Sequence, residues 1–118
     1  MVIRDAGTVL DREQLRDITL NDEELMREIL TALIDDTSRQ IPLLEMAIRE
    51  GDSQRCMRLA HYSKGACANV GAAAAAAVLK TIEHQAASRE FQECSQSLSA
   101  LVTEVDRLRS EAQGFADA

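Results

Sequence analysis

"FQECSQSLSALVTEVDRLRSEA", residues 91–112, decides the fold. Its apolar positions are Phe91, Cys94, Leu98, Leu101, Val105, Leu108 and Ala112, alternately three and four residues apart. That period puts all of them on one helical stripe that must find apolar neighbours. The same stripe suits an intermolecular coiled coil. Because other amphipathic segments in the chain also need partners, intramolecular packing in a bundle is the expectation.

Upstream, the alanine-rich segment predicts a helix over roughly 73–87, with Ala75, Val78, Leu79 and Ile82 on its inner side and alanines that permit close approach to a neighbour. "ANVG" before it stops another helix, since Asn and Gly tolerate the left-handed conformation at a C-terminus. That preceding helix starts after Asp52 or Ser53, carries His61, and has Cys56, Leu59, Ala60, Ser63 and Cys67 as its apolar stripe. A longer helix begins near Asn21–Asp22, with Asn21 as a cap and acids favouring the positive end of the helix dipole. Its stripe runs Leu25, Ile29, Leu33, Thr37, Ile41, Leu44, Ile48 and ends at Gly51, with a kink, or a split into two helices, expected around Ser38–Pro42. A short first helix from Asp11 to about Ile18 has Asp11 as N-cap and Gln14 at the capping-box position.

The expected fold is therefore all-α: an up-and-down antiparallel four-helix bundle of segments starting near 22, 53, 73 and 90, with a short extra N-terminal helix across one end. Residues 1–118 are expected to form a single domain with its core over about 22–113, and residues 1–8 and 114–118 to fray. Composition agrees. Aromatics are only 3% of the chain, so the core must be aliphatic, and one Pro with five Gly is too little punctuation for an all-β fold.

A net charge of −7 argues against nucleic acid as a partner. The charge is uneven: in residues 51–70 Asp52 stands against Arg55, Arg58 and Lys64, which makes the segment around His61 the one net-positive stretch. "MVIRDAGTVLDREQ" has no apolar signal region, and the alanine run is too short to span a bilayer, so a cytoplasmic protein with no membrane association is expected. Cys56, Cys67 and Cys94 have no CxxC pairing and read as buried thiols, not metal ligands. No metal or cofactor site is expected on the chain.

On a helix, Arg58, Lys64, Gly65 and Ala68 all fall within roughly 60° of His61 around the axis. His61 is therefore expected at the edge of the buried face, among cations and small side chains. An unperturbed imidazole has a pKa of about 6.5 and is largely neutral in the cytoplasm, so a ring nitrogen can attack phosphorus. Phosphoryl transfer is mostly positioning and charge neutralisation, which Lys64 one turn on can supply. Gly65 costs the helix roughly 1 kcal/mol relative to Ala, and its missing Cβ leaves clearance for another protein. His84, in "IEHQAA", has no Lys or Gly one turn on and reads as structural or exposed.

"AHYSKGACANVGA", residues 60–72, resembles the histidine phosphotransfer (HPt) domain signature, approximately A-H-x-L-K-G-x-x-x-x-x-G-A. The resemblance extends to "LD" at 10–11, "NDEELMREIL" at 21–30, "AIREGD" at 47–52 and "IE" at 82–83. It implies a helical bundle without kinase activity of its own that relays phosphate between aspartates of response-regulator receiver domains. By the same resemblance His61 is the phosphoacceptor, Lys64 the phosphoryl-stabilising cation, Gly65 the clearance position and Gly71 a structural turn; Arg58 and Ala68, from their place on the same face, are expected to bind the partner. The implied partners are receiver domains and a hybrid sensor histidine kinase, with Mg²⁺ supplied by the receiver and the chain itself a monomer. Ser63 stands where the family usually has Leu, and Ala75 where Leu is common; Ser63 is expected to satisfy its hydroxyl on the carbonyl of Leu59. The alternatives are a non-catalytic bundle that docks receivers without carrying phosphate, and a structural bundle that self-associates through residues 91–112.

Overall fold

Capping side chains and left-handed residues divide the chain into five helices, seen in a computed structural model that describes residues 7–116. They are α1 (Arg12–Ile18), α2 (Glu23–Arg49), α3 (Ser53–Val70), α4 (Ala73–Ala87) and α5 (Phe91–Ala116). Asp11, Asp22 and Asp52 each accept a hydrogen bond from the backbone N–H three residues on, which caps α1, α2 and α3. At the end of α2, Gly51 adopts φ +66° while Asp52 N–H donates to Ala47 O and Gly51 N–H to Ile48 O, a Schellman termination. The chain reverses again at Gly71–Ala72 and at Ser88–Glu90. Helices α2 to α5 pack in a ring, each on its two neighbours, as an antiparallel four-helix bundle.

Inside the ring, Leu30, Leu44, Leu79, Ile82, Leu101, Val105 and Leu108 are fully buried, and burial contributes roughly 1.5–3 kcal/mol for each large aliphatic side chain. The α5 stripe is the one its spacing demands: Cys94, Leu98, Leu101, Val105 and Leu108 are buried, with Phe91 and Ala112 at the margins. In α2 the buried face is wider than the expected stripe. Met26, Leu30 and Ile34 are buried, whereas Leu25 is 38% exposed and Ile29 and Ile41 are only partly covered. A bundle helix touches two neighbours, so its apolar arc broadens beyond one line of side chains. Pro42 lies inside α2, which continues unbroken as one helix.

Other local expectations need correction. Asp22, not Asn21, caps α2; Asn21 and Leu20 take positive φ in the α1–α2 turn, where Asn bears the left-handed conformation readily. Gln14 does not close a capping box. Its amide nitrogen donates to Ala68 O (2.8 Å) and Asn69 O (3.1 Å) at the end of α3, while the Asp11 N–H goes to Gly71 O (2.8 Å). Thus α1 is tied across the end of the bundle. Arg12 reinforces this by pairing with Glu111 and lying over the Phe115 ring of α5. The described ends are held: Thr8 O accepts from Ala74 N–H (2.8 Å), and α5 stays helical to Ala116. The remaining terminal residues expected to fray, 1–6 and 117–118, lie outside the described residues.

Gly71 serves two purposes. Its φ of +99° is one L side chains rarely adopt, and a Cβ there would lie 2.9 Å from Asp11 O. Ser63 is the opposite case, a residue with an unmet need. It is 1% exposed, and its hydroxyl has no hydrogen-bond partner, so the expected bond to Leu59 O is absent. A buried hydroxyl left unsatisfied costs about 1–3 kcal/mol in desolvation. Ser63→Ala is therefore expected to stabilise the fold by about 1 kcal/mol, read as a higher urea midpoint at unchanged slope.

Candidate functional site

The α3 helix turns small side chains to the core and its chemistry outward. Cys56, Ala60, Ser63 and Cys67 are buried, while Arg58, His61, Gly65 and Ala68 are exposed along the opposite flank. Helix α4 carries the buried alanines Ala74, Ala75 and Ala86, Ser53 Oγ of α3 donates to Ala86 O at 2.6 Å, and the two helices pack extensively. Their proximity brings a residue of α4 into reach of His61.

That residue is Glu83. Its Oε2 lies 2.9 Å from His61 Nδ1, and its Oε1 accepts from Lys64 Nζ at 2.6 Å. The Lys64 ammonium hydrogen bond holds the Glu83 carboxyl below the usual carboxylate range; partial burial opposes this, and the His61 hydrogen bond adds to it. Glu83 is consequently ionised at neutral pH and can only accept. His61 Nδ1 must then carry the hydrogen, which leaves the lone pair of a neutral ring on Nε2. The imidazole is 69% exposed, against 20% for Glu83 and 28% for Lys64. A carboxylate thus fixes the tautomer from the bundle side, while the ring stands in solvent.

Gly65 lies one turn from His61, and a Cβ built there would meet nothing within 4 Å. The missing side chain therefore relieves no clash inside this chain. Arg58, Lys64, Gly65 and Ala68 all lie along the His61 flank, as the spacing predicted, but Lys64 is paired with Glu83 instead of standing free. Sequence reasoning missed Glu83 as a site residue. The signal the sequence held was the "IE" pair at 82–83, which belonged to the resemblance without a role being assigned to Glu83. His84 is exposed.

Burial pushes the thiols up, Cys56 to about 12 and Cys67 to about 11, with Cys94 raised as well, so all three stay protonated at neutral pH. Among the described residues no group of three His, Cys, Asp or Glu side chains is arranged to hold a metal ion. No helix among them is long and apolar enough to cross a membrane.

With this geometry established, comparison with known proteins identifies the class. The sequence model of the Hpt domain matches residues 28–111, the larger part of the chain. This chain belongs to the Hpt domain family. Its fold is similar to that of histidine-containing phosphotransfer protein B from Pseudomonas aeruginosa PAO1, with a TM-score of 0.84 at 24% identity over 95% of this chain and 98% of that one. It is also similar to a rice protein designated a candidate histidine-containing phosphotransfer protein, with a TM-score of 0.81 at 18% identity, covering 93% of this chain and 81% of the other. At these identities the likeness establishes a shared fold. No curated protein sequence matches the chain.

Two outcomes follow for Glu83→Gln. An amide can present a donor as well as an acceptor, so the ring should lose its enforced Nδ1–H form and move toward a tautomer mixture, read from the ¹⁵N shifts of His61 near pH ~8.5 where imidazoles are neutral. The second outcome concerns stability. A depressed folded-state pKa stabilises the fold above the unfolded carboxylate pKa of about 4.3, and the contribution is lost as pH falls through the folded value. Urea titrations should show wild type more stable than the variant at neutral pH, with the margin vanishing under acid.

Proposed function

We propose that His61 accepts a phosphoryl group from a receiver-domain aspartate and passes it to a second receiver domain in a multistep phosphorelay. Family membership supports histidine phosphotransfer in general. The observation that supports this residue is the Glu83 hydrogen bond to Nδ1, which leaves Nε2 as the nucleophilic nitrogen on an exposed ring.

In the forward step the Nε2 lone pair forms the N–P bond, and the aspartate oxygen leaves with the electron pair of the broken P–O bond. The hydrogen on Nδ1 stays in place. Glu83 compensates the positive charge that develops on the ring, which keeps a neutral imidazole as the leaving group for onward transfer. Lys64 neutralises phosphoryl oxygens by exchanging its contact with Glu83 for one with the new anion. Mg²⁺ is assigned to the receiver. Gly65, with Arg58 and Ala68 beside it, gives the partner room to bring its phosphoaspartate to Nε2. In this proposal the whole chain is one such domain, acts as a cytoplasmic monomer, and takes its phosphate from receiver domains, including that of a hybrid sensor kinase.

Incubation with a phosphorylated receiver domain and Mg²⁺ should move acid-labile, base-stable phosphate onto the wild type and none onto His61→Gln. Labelling that persists in His61→Gln would remove His61 from the mechanism. Receiver binding without transfer to wild type would favour a docking module that carries no phosphate. Because the space around Gly65 is open, Gly65→Arg should fold normally by circular dichroism yet lose receiver-dependent labelling; unchanged transfer would contradict the clearance role.

A further inference from the structure

Glu83 approaches His61 from α4, but the other side of α3 carries a feature the phosphoryl chemistry does not use. A groove of about 390 Å³ lies between α2 and α3, lined by Gln40, Arg55, Arg58, Leu59 and Tyr62. The four α3 residues are spaced i, i+3, i+4 and i+7, so they form one stripe along the helix. Arg58 also belongs to the flank of His61, one turn before it, which makes the groove continuous with the proposed transfer position.

Two guanidinium groups share this groove. Arg12, Arg39, Arg49, Arg107 and Arg109 pair with carboxylates; Arg16, Arg27, Arg55, Arg58 and Arg89 have no such partner among the described residues, and of these Arg55 and Arg58 stand together, lining one groove beside His61. They do so in a chain that holds 20 acids against 13 Lys and Arg. Asp36, the acid on α2 beside Tyr62, is itself engaged by Arg39 at 3.6 Å. Tyr62 is 57% exposed and offers an aromatic body at the mouth, with half-buried Leu59 beneath. Guanidinium groups bind carboxylates in bidentate fashion, and Tyr and Arg are the residues that concentrate energy at interfaces. A partner with a negative surface is repelled by most of this acidic molecule and attracted here, which sets both its orientation and its encounter rate.

We infer that this groove reads the receiver partner: it takes a carboxylate side chain flanked by an apolar one on the receiver's docking face, and so selects which receivers exchange phosphate with His61. The inference rests on the phosphotransfer function proposed above. Arg55 is the residue on which to test it, because it lies six residues from His61, about 9 Å along the helix axis.

The test compares two phosphodonors on wild type, Arg55→Glu and Arg55→Lys. One is phosphoramidate, a small donor that needs no docking surface. The other is the set of receiver domains encoded by the source organism, each phosphorylated beforehand, from which those that label wild type are taken forward. Arg55→Glu should slow receiver-dependent labelling at least about tenfold at low salt, while phosphoramidate labelling stays within about twofold. Arg55→Lys should restore most of the rate. The wild-type receiver rate should fall as salt rises, and the Arg55→Glu rate should be nearly flat. Equal receiver rates in wild type and Arg55→Glu would overturn the groove while leaving His61 transfer standing. A wild type labelled by neither donor would overturn both.

Discussion

The site depends on how closely α3 and α4 approach. Both helices bury small residues, Ala60, Ser63 and Cys67 on one and Ala75 and Ala86 on the other, and they pack extensively on each other. Across that packing the Glu83 side chain reaches both His61 and Lys64. The unsatisfied hydroxyl of Ser63 is one cost of this arrangement.

Gly65 within α3 and Gly71 at its C-cap obey different constraints. Gly71 is dictated from within the molecule: its left-handed backbone ends the helix, and the N-terminal segment passes so near that any Cβ would strike Asp11. The contacts of Asp11 and Gln14 to this end of α3 then fasten α1 across the bundle. Gly65 has no internal reason of this kind. A Cβ there would meet nothing of the chain within 4 Å, which is the observation behind the clearance role proposed for it.

Electrostatics divide the surroundings of His61 in two. On the α4 side, Glu83 and Lys64 form a compact ion pair that orients the ring. On the α2 side, Arg55 and Arg58 face solvent without carboxylate partners, in a molecule that is otherwise strongly acidic. The first arrangement bears on the reactivity of one nitrogen, the second on which surface can approach it.

The fold was legible because helix signals are local. The spacing of three and four in α5, the capping aspartates, and the glycines at 51 and 71 each act within a few residues, and helix boundaries follow from them. His61, Lys64 and Gly65 were legible as a group for the same reason, since one turn of helix sets their common face. What the sequence left open depends on the register between helices. Whether Asn21 or Asp22 caps α2, whether Leu25 or Met26 is buried, and where Gln14 sends its amide are decided by neighbours distant in the chain. Glu83 is the clearest case. By itself the sequence determined an all-helical bundle with a histidine on an exposed flank. Only the tertiary structure decided which nitrogen of that histidine is held, because a hydrogen bond between residues 22 apart exists only once α3 and α4 are packed in one particular register.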